Sequence, residues 1–113
     1  FEYRAADAAA SPYLVLGAIL AAGLHGLDRT MAIPPVCEGA PQNLTDAQRR
    51  DLDIVRLPQS LSQALDLFEA DTDLTESFGA DLKSAYLAHK RFEAEMMEQL
   101  SPEEQCEKYR LAY

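Results

Sequence analysis

The chain opens with a pairing that has chemical reach: Glu2, Tyr3 and Arg4, followed by Asp7. In an extended segment, residues i and i+2 point to the same face, roughly 7 Å apart along the strand. A carboxylate and a guanidinium then stand side by side. The carboxylate suits a hard cation such as Mg²⁺, which takes oxygen ligands. The guanidinium suits a phosphate or a carboxylate, which its planar fork meets bidentately. On pattern alone a second reading stays open, in which the two form only an ion pair on a solvated edge.

Other chemistries lack their parts. The sequence has no Gly-rich phosphate loop and no His/Cys spacing suited to zinc. His25 and His89 are isolated and read as hydrogen-bonded structural histidines. Cys37 and Cys106 are too few for a disulfide scaffold. They are expected as free thiols, with one long-range bridge as the alternative. Met31, Met96 and Met97 read as packing.

The elements that must position the front pair are mostly helical. Residues 1–4 alternate apolar and charged, which predicts a short strand. Such a strand needs a partner that this chain does not supply. Ser11-Pro12 gives a helix start, and residues 13–27 are apolar almost all round, which predicts a helix buried on most sides. Gly17 with Ala21, and Ala18 with Ala22, offer small faces for close approach, and Gly26 sits near the expected stop. The run is too short for the roughly 20 apolar residues of a membrane span. Glu2 and Asp7 spoil the cationic start of a secretory signal.

Residues 29–59 form an irregular, Pro-rich connection holding Pro34, Pro35, Pro41 and Pro58. Thr45 to Gln48 fits a capping box for a short helix over 46–52. Ser60 to Gln63 starts another, with Leu61, Ala64, Leu65 and Phe68 at helical spacing. A helical turn is expected over 73–77, with Gly79 as its left-handed cap. A long helix is expected over 81–100, with Leu82, Ala85, Tyr86, His89, Phe92, Met96 and Leu100 as its inward stripe. Ser101-Pro102 with Glu104 starts a last helix over 102–111, with Cys106, Tyr109 and Tyr113 facing inward. The expected fold is mainly α, with one short N-terminal strand followed by about four to five helices.

At 113 residues, 48% hydrophobic, the chain is long enough for one core. Its net charge is −9, which argues against a nucleic-acid or anionic-membrane partner. Residues 59–113 carry twelve acids and five bases, against seven and five in residues 1–58, so the acidic excess lies on the helical half.

Phe1-Glu2-Tyr3-Arg4, Asp7, Ala10-Ser11-Pro12-Tyr13-Leu14 and the run Ala21-Ala22-Gly23-Leu24 with Gly26 resemble the glutamine synthetase family. So do Leu57-Pro58-Gln59-Ser60-Leu61, Ala64-Leu65, Glu69-Ala70-Asp71, Ala85-Tyr86-Leu87 and Lys90-Arg91. Three places depart from the family pattern. Ser11 replaces the usual Asn, and Ala5-Ala6 replaces the usual x-Pro. Thr45 follows Asn43-Leu44 where some bacterial members carry a regulatory tyrosine.

The resemblance implies that residues 1–113 are the C-terminal segment of an α+β catalytic domain, cut from something longer. Their parts would be strand and turn (1–10), buried helix (11–28), connection (29–59) and helical layer (60–113). It implies Glu2 as a metal ligand for Mg²⁺ or Mn²⁺, and Arg4 as the contact to glutamate and its phosphorylated form. The parent is then expected to be a cytoplasmic, ATP-dependent ligase joining glutamate to ammonia or an amine. Its partners are the remainder of the domain and neighbouring subunits, with no nucleic acid and no membrane. The isolated chain is expected to be inactive and to self-associate through its uncovered helix. The rival expectation is a non-catalytic, acidic helical module that binds a partner protein.

Overall fold

A computed structural model describes residues 2–7 and 10–110 of the chain. The helices begin where short-range capping chemistry puts them. Helix α1 (Pro12–Asp28) starts with Pro12 in its first turn, where no N–H is needed. A 3₁₀ turn (Pro41–Asn43) precedes α2 (Asp46–Asp51), whose capping box joins Thr45 and Gln48 in both directions. Helix α3 (Leu61–Ala70) is capped by the Ser60 hydroxyl, and α4 (Thr72–Phe78) by the Asp71 carboxylate. Helix α5 (Ala80–Glu98) is the longest. Helix α6 (Pro102–Tyr109) starts with a second capping box, between Ser101 and Glu104. Among the described residues, six α-helices therefore stand where about four to five were expected.

The core lies where α3, α4 and α5 meet. Leu65 and Leu87 are its buried apolar side chains, with Thr75 also buried. Phe68 stacks edge-on against both Phe78 and Tyr86, at centroid distances of 5.5 and 5.7 Å. The Thr75 hydroxyl donates to the Asp71 carbonyl at 2.6 Å, so its burial leaves no lone donor. Lys83 donates to the Glu69 carbonyl at the end of α3 and to Thr75 Oγ1. Arg91 clasps α3 from α5 through Asp66 (3.0 Å) and Glu69 (2.6 Å). Gln105 ties α6 back to α5 by donating to the carbonyls of Met97 and Leu100.

Several expectations change. Glu2–Arg4 form no strand among the described residues, and Phe1 lies outside them. A strand is defined by its ladder, and no strand among the described residues pairs with this segment. Ser11 occupies the N-cap of α1, but its hydroxyl makes no capping bond. Gly26 stands near the stop of α1 as expected, two residues before its end. The exit is at Thr30, with φ 50°, where the Met31 N–H bonds the Gly26 carbonyl and the Thr30 N–H bonds that of Leu27. That is a Schellman closure with a β-branched residue where glycine is the usual choice. The turn expected over 73–77 is the full helix α4.

The largest change concerns α5. Its inward face is Lys83, Tyr86, Leu87, Lys90, Glu93, Ala94 and Met97, turned about 100° from the expected stripe at 100° per residue. Leu82, Ala85, His89 and Phe92 are exposed instead. Two lysine stems cover apolar surface while their ammonium groups find oxygen partners. In α6, Cys106 is exposed, Tyr109 is half-buried, and Tyr113 lies outside the described residues. Met31 is exposed, so it does no packing here.

The chain exposes 9397 Å². A compact monomer of 12.5 kDa exposes roughly 6,200 Å². Its radius of gyration, 16.7 Å, also exceeds the roughly 13 Å of a compact chain this long. Tyr13, Leu16, Leu20, Leu24 and Leu27 of α1 are among the exposed large apolar side chains, and the main contact of α1 is with α4. No helix among the described residues is long and apolar enough to cross a membrane.

Candidate functional site

The front pair sits in the extended segment leading into α1. The Ala10 N–H donates to the Asp7 carbonyl at 3.1 Å. Glu2 and Arg4 lie on one side of this segment, as their i, i+2 spacing requires. Arg4 Nε donates to Glu2 Oε1 at 2.7 Å, and a terminal nitrogen donates to Oε2 at 3.2 Å. The contact is a two-point fork, with side chains 83% and 70% exposed. Both groups are thus presented to solvent, already partnered with each other.

A hard divalent cation takes six or more oxygen ligands, with Mg²⁺ keeping several waters. Glu2 supplies one carboxylate. No group of three or more potential ligands is brought together among the described residues. The donor set in this chain alone does not fit a metal centre. Arg4 is complete in itself as an anion contact, once its fork turns from Glu2 to a ligand.

A second polar cluster lies in the groove between α1 and α4, lined by Ala21, Leu24, His25, Asp28, Asp73 and Glu76. His25 Nε2 stands 3.5 Å from Asp73 Oδ2, an ion pair when the imidazole is protonated, and Arg29 stands 3.7 Å from Oδ1. The sequence offered no signal for this tie, because the partners are 44 and 48 residues apart. His25 thus serves the α1–α4 contact. His89, expected on the buried stripe, faces solvent.

A third cluster joins α5 to α6. Lys90 donates to Glu93 at 2.6 Å, with side chains only 21% and 12% exposed. Burial pushes the Glu93 carboxyl up. Hydrogen bonds from Lys90 and Tyr109, with the charges of Lys90 and His89, outweigh it and hold the carboxyl below its ordinary value. This network holds the two helices together.

A family model described as the glutamine synthetase catalytic domain matches residues 1–109. A glutamine synthetase of Sulfolobus acidocaldarius is 38% identical over 98 residues, covering 86% of this chain and 21% of its own length. One from Methanocaldococcus jannaschii is 34% identical over 92 residues, 81% of this chain and 20% of its own. A gamma-glutamylpolyamine synthetase of Streptomyces coelicolor is 34% identical over 112 residues, 99% of this chain and 24% of its own. The chain spans about a fifth to a quarter of the length of these relatives.

Proposed function

The chain belongs to the glutamine synthetase catalytic-domain family, and from that premise we propose that it is the C-terminal segment of the catalytic domain of an ATP-dependent glutamate–ammonia or glutamate–amine ligase. The observation that carries this reading is the family match from residue 1, with Glu2 and Arg4 inside it. In such a ligase, ATP phosphorylates the side-chain carboxylate of glutamate, and the amine displaces phosphate from the γ-glutamyl phosphate. Negative charge must be held while those bonds change. Arg4 does this by trading the Glu2 carboxylate for the substrate's carboxylate and then for its acyl phosphate, meeting each with the same fork. Mg²⁺ or Mn²⁺ would supply further charge neutralisation when bound, and Glu2 would be one of the residues that hold it. The others belong to the remainder of the catalytic domain or to neighbouring subunits. A chain that holds one ligand carboxylate is inactive alone.

The relatives carry two amine classes in their names, so the assay must span both. The full-length parent, given glutamate and ATP with ammonia or a polyamine, should release phosphate only when glutamate and one amine are present. R4A should lower kcat by about 10²–10³-fold, the cost of removing one preorganised charge contact. Absence of amine-dependent phosphate release with every amine would refute the reading. γ-Glutamyl transfer by residues 1–113 alone would refute the claim of inactivity. The exposed face of α1 favours one rival, an acidic helical module that docks on a partner protein. That rival requires the full-length protein to be inert in the same assay.

A further inference from the structure

We propose that His25 makes the seating of α1 on α4 pH-sensitive, firm while its imidazole is protonated and looser once the proton is lost. Two helix ends meet at this point. His25 stands in the last turn of α1, and Asp73 in the first turn of α4. His25 Nε2 lies 3.5 Å from Asp73 Oδ2, with the histidine side chain 30% exposed. The carboxyl end of a long helix carries partial negative charge. A protonated imidazole in the last turn of α1 is therefore held by its own helix and by Asp73 together. A neutral ring gains neither attraction.

The groups around the ring set the sign. From α4, Asp73 and Glu76 line the groove beside His25, and from α1 so does Asp28. These carboxylates attract a charged ring and do nothing comparable for a neutral one. One cation opposes them. Arg29 stands 3.7 Å from Asp73 Oδ1, the other oxygen of the same carboxylate. A guanidinium stays charged throughout, so Arg29 keeps its hold on Asp73 when His25 lets go. The change is a loosening and not a release. From Pro12 to Leu27 the helix holds no Asp, Glu, Lys or Arg, so His25 alone alters the charge of this stretch between about pH 5 and 8. The main contact of α1 is with α4, so a weaker tie there lets α1 open more often from the rest of the chain. The inference rests on the α1–α4 geometry and not on the ligase reading, so the two can fail separately.

Amide hydrogen exchange of the chain, corrected for intrinsic rates, measures that opening helix by helix. Protection of α1 should fall by about two- to fivefold between roughly pH 5.5 and 8, the size expected of a partly exposed ion pair. H25Q should show no such fall, because carboxylates titrate below this range. His89 on α5 is exposed and is the same in both proteins, so its titration subtracts out. D73N should lose at least about half of the wild-type fall and keep only the part due to the helix end. If H25Q loses helical circular dichroism, D73N carries the test. Protection that falls equally in wild type and H25Q would overturn the proposal. So would a fall that D73N leaves whole, or wild-type protection that stays level or rises with pH.

Discussion

Helix α1 and the α3–α4–α5 unit are both apolar, yet they differ in what they complete. The three-helix unit closes on itself. Its buried leucines come from two helices, its aromatic cluster from all three, and its one buried hydroxyl finds a carbonyl within the unit. Helix α1 is the more hydrophobic element and buries none of its residues fully. It is apolar round most of its circumference, and its main neighbour among the described residues is α4. Hydrophobicity alone fixes how much surface must be covered, and the number of adjoining faces decides whether a chain covers it by itself. The exits of the two regions differ too. The turn from α4 into α5 places Gly79 at φ 73°, where glycine adopts the backbone without strain, while α1 ends on Thr30 at φ 50°.

The largest test of this contrast is a pair of leucines. L65A should destabilise the chain by about 3 kcal/mol, as truncation of a buried leucine does. L20A should change stability by less than about 0.5 kcal/mol at concentrations where the chain is monomeric. Urea unfolding followed by circular dichroism measures both, and equal losses would break the comparison.

A smaller effect is expected at Glu93. E93Q keeps the shape but removes the charge facing Lys90, and should cost about 1–2 kcal/mol at pH 7. The sign with pH follows from the lowered folded-state pKa. The stabilisation is fully present above the ordinary glutamate value of 4.5 and is lost as pH falls through the lower folded value. The gap between wild type and E93Q should therefore close below about pH 4.5, and a gap that widened there would reverse the assignment. Glu104 shifts the same way, held low by the backbone and side-chain hydrogen bonds of Ser101.

The smallest effect sharpens the contrast between exits. T30G should stabilise the chain by up to about 1 kcal/mol by relieving the left-handed strain at the end of α1. A loss in thermal melts would mean that the Thr30 side chain contributes more than its backbone strain costs.

The capping boxes at Thr45 and Ser101 were legible in the sequence because their partners stand three residues apart; the one expected at Ser60–Gln63 is half made, since the Gln63 side chain accepts from the Gln59 N–H instead. The apolar character of α1 was legible, and so was the need for a cover. The inward face of α5 was not. Lys83 and Lys90 lie on it because the α3 carboxyl end and Glu93 offer oxygens there, a tertiary fact that a hydropathy stripe does not carry. Thr30 went unseen as a helix stop because glycine is the usual signal for that backbone. At the front of the chain, spacing placed Glu2 and Arg4 on one side, while the strand failed for lack of a pairing edge. The His25–Asp73 tie needed α1 and α4 to be folded against each other first.

The clasp between Glu2 and Arg4 has a kinetic consequence. An ion pair this open to water is worth about 1 kcal/mol or less, and salt screens it further. Exposed side chains change rotamer in picoseconds to nanoseconds. The two groups therefore exchange partners far faster than any ligand arrives or leaves, and each holds the other near its place in the meantime. The pair behaves as a spring-loaded latch with a shallow catch. An incoming anion or cation meets a side chain that is already aligned, and nothing slower than a rotamer step delays its release from its neighbour.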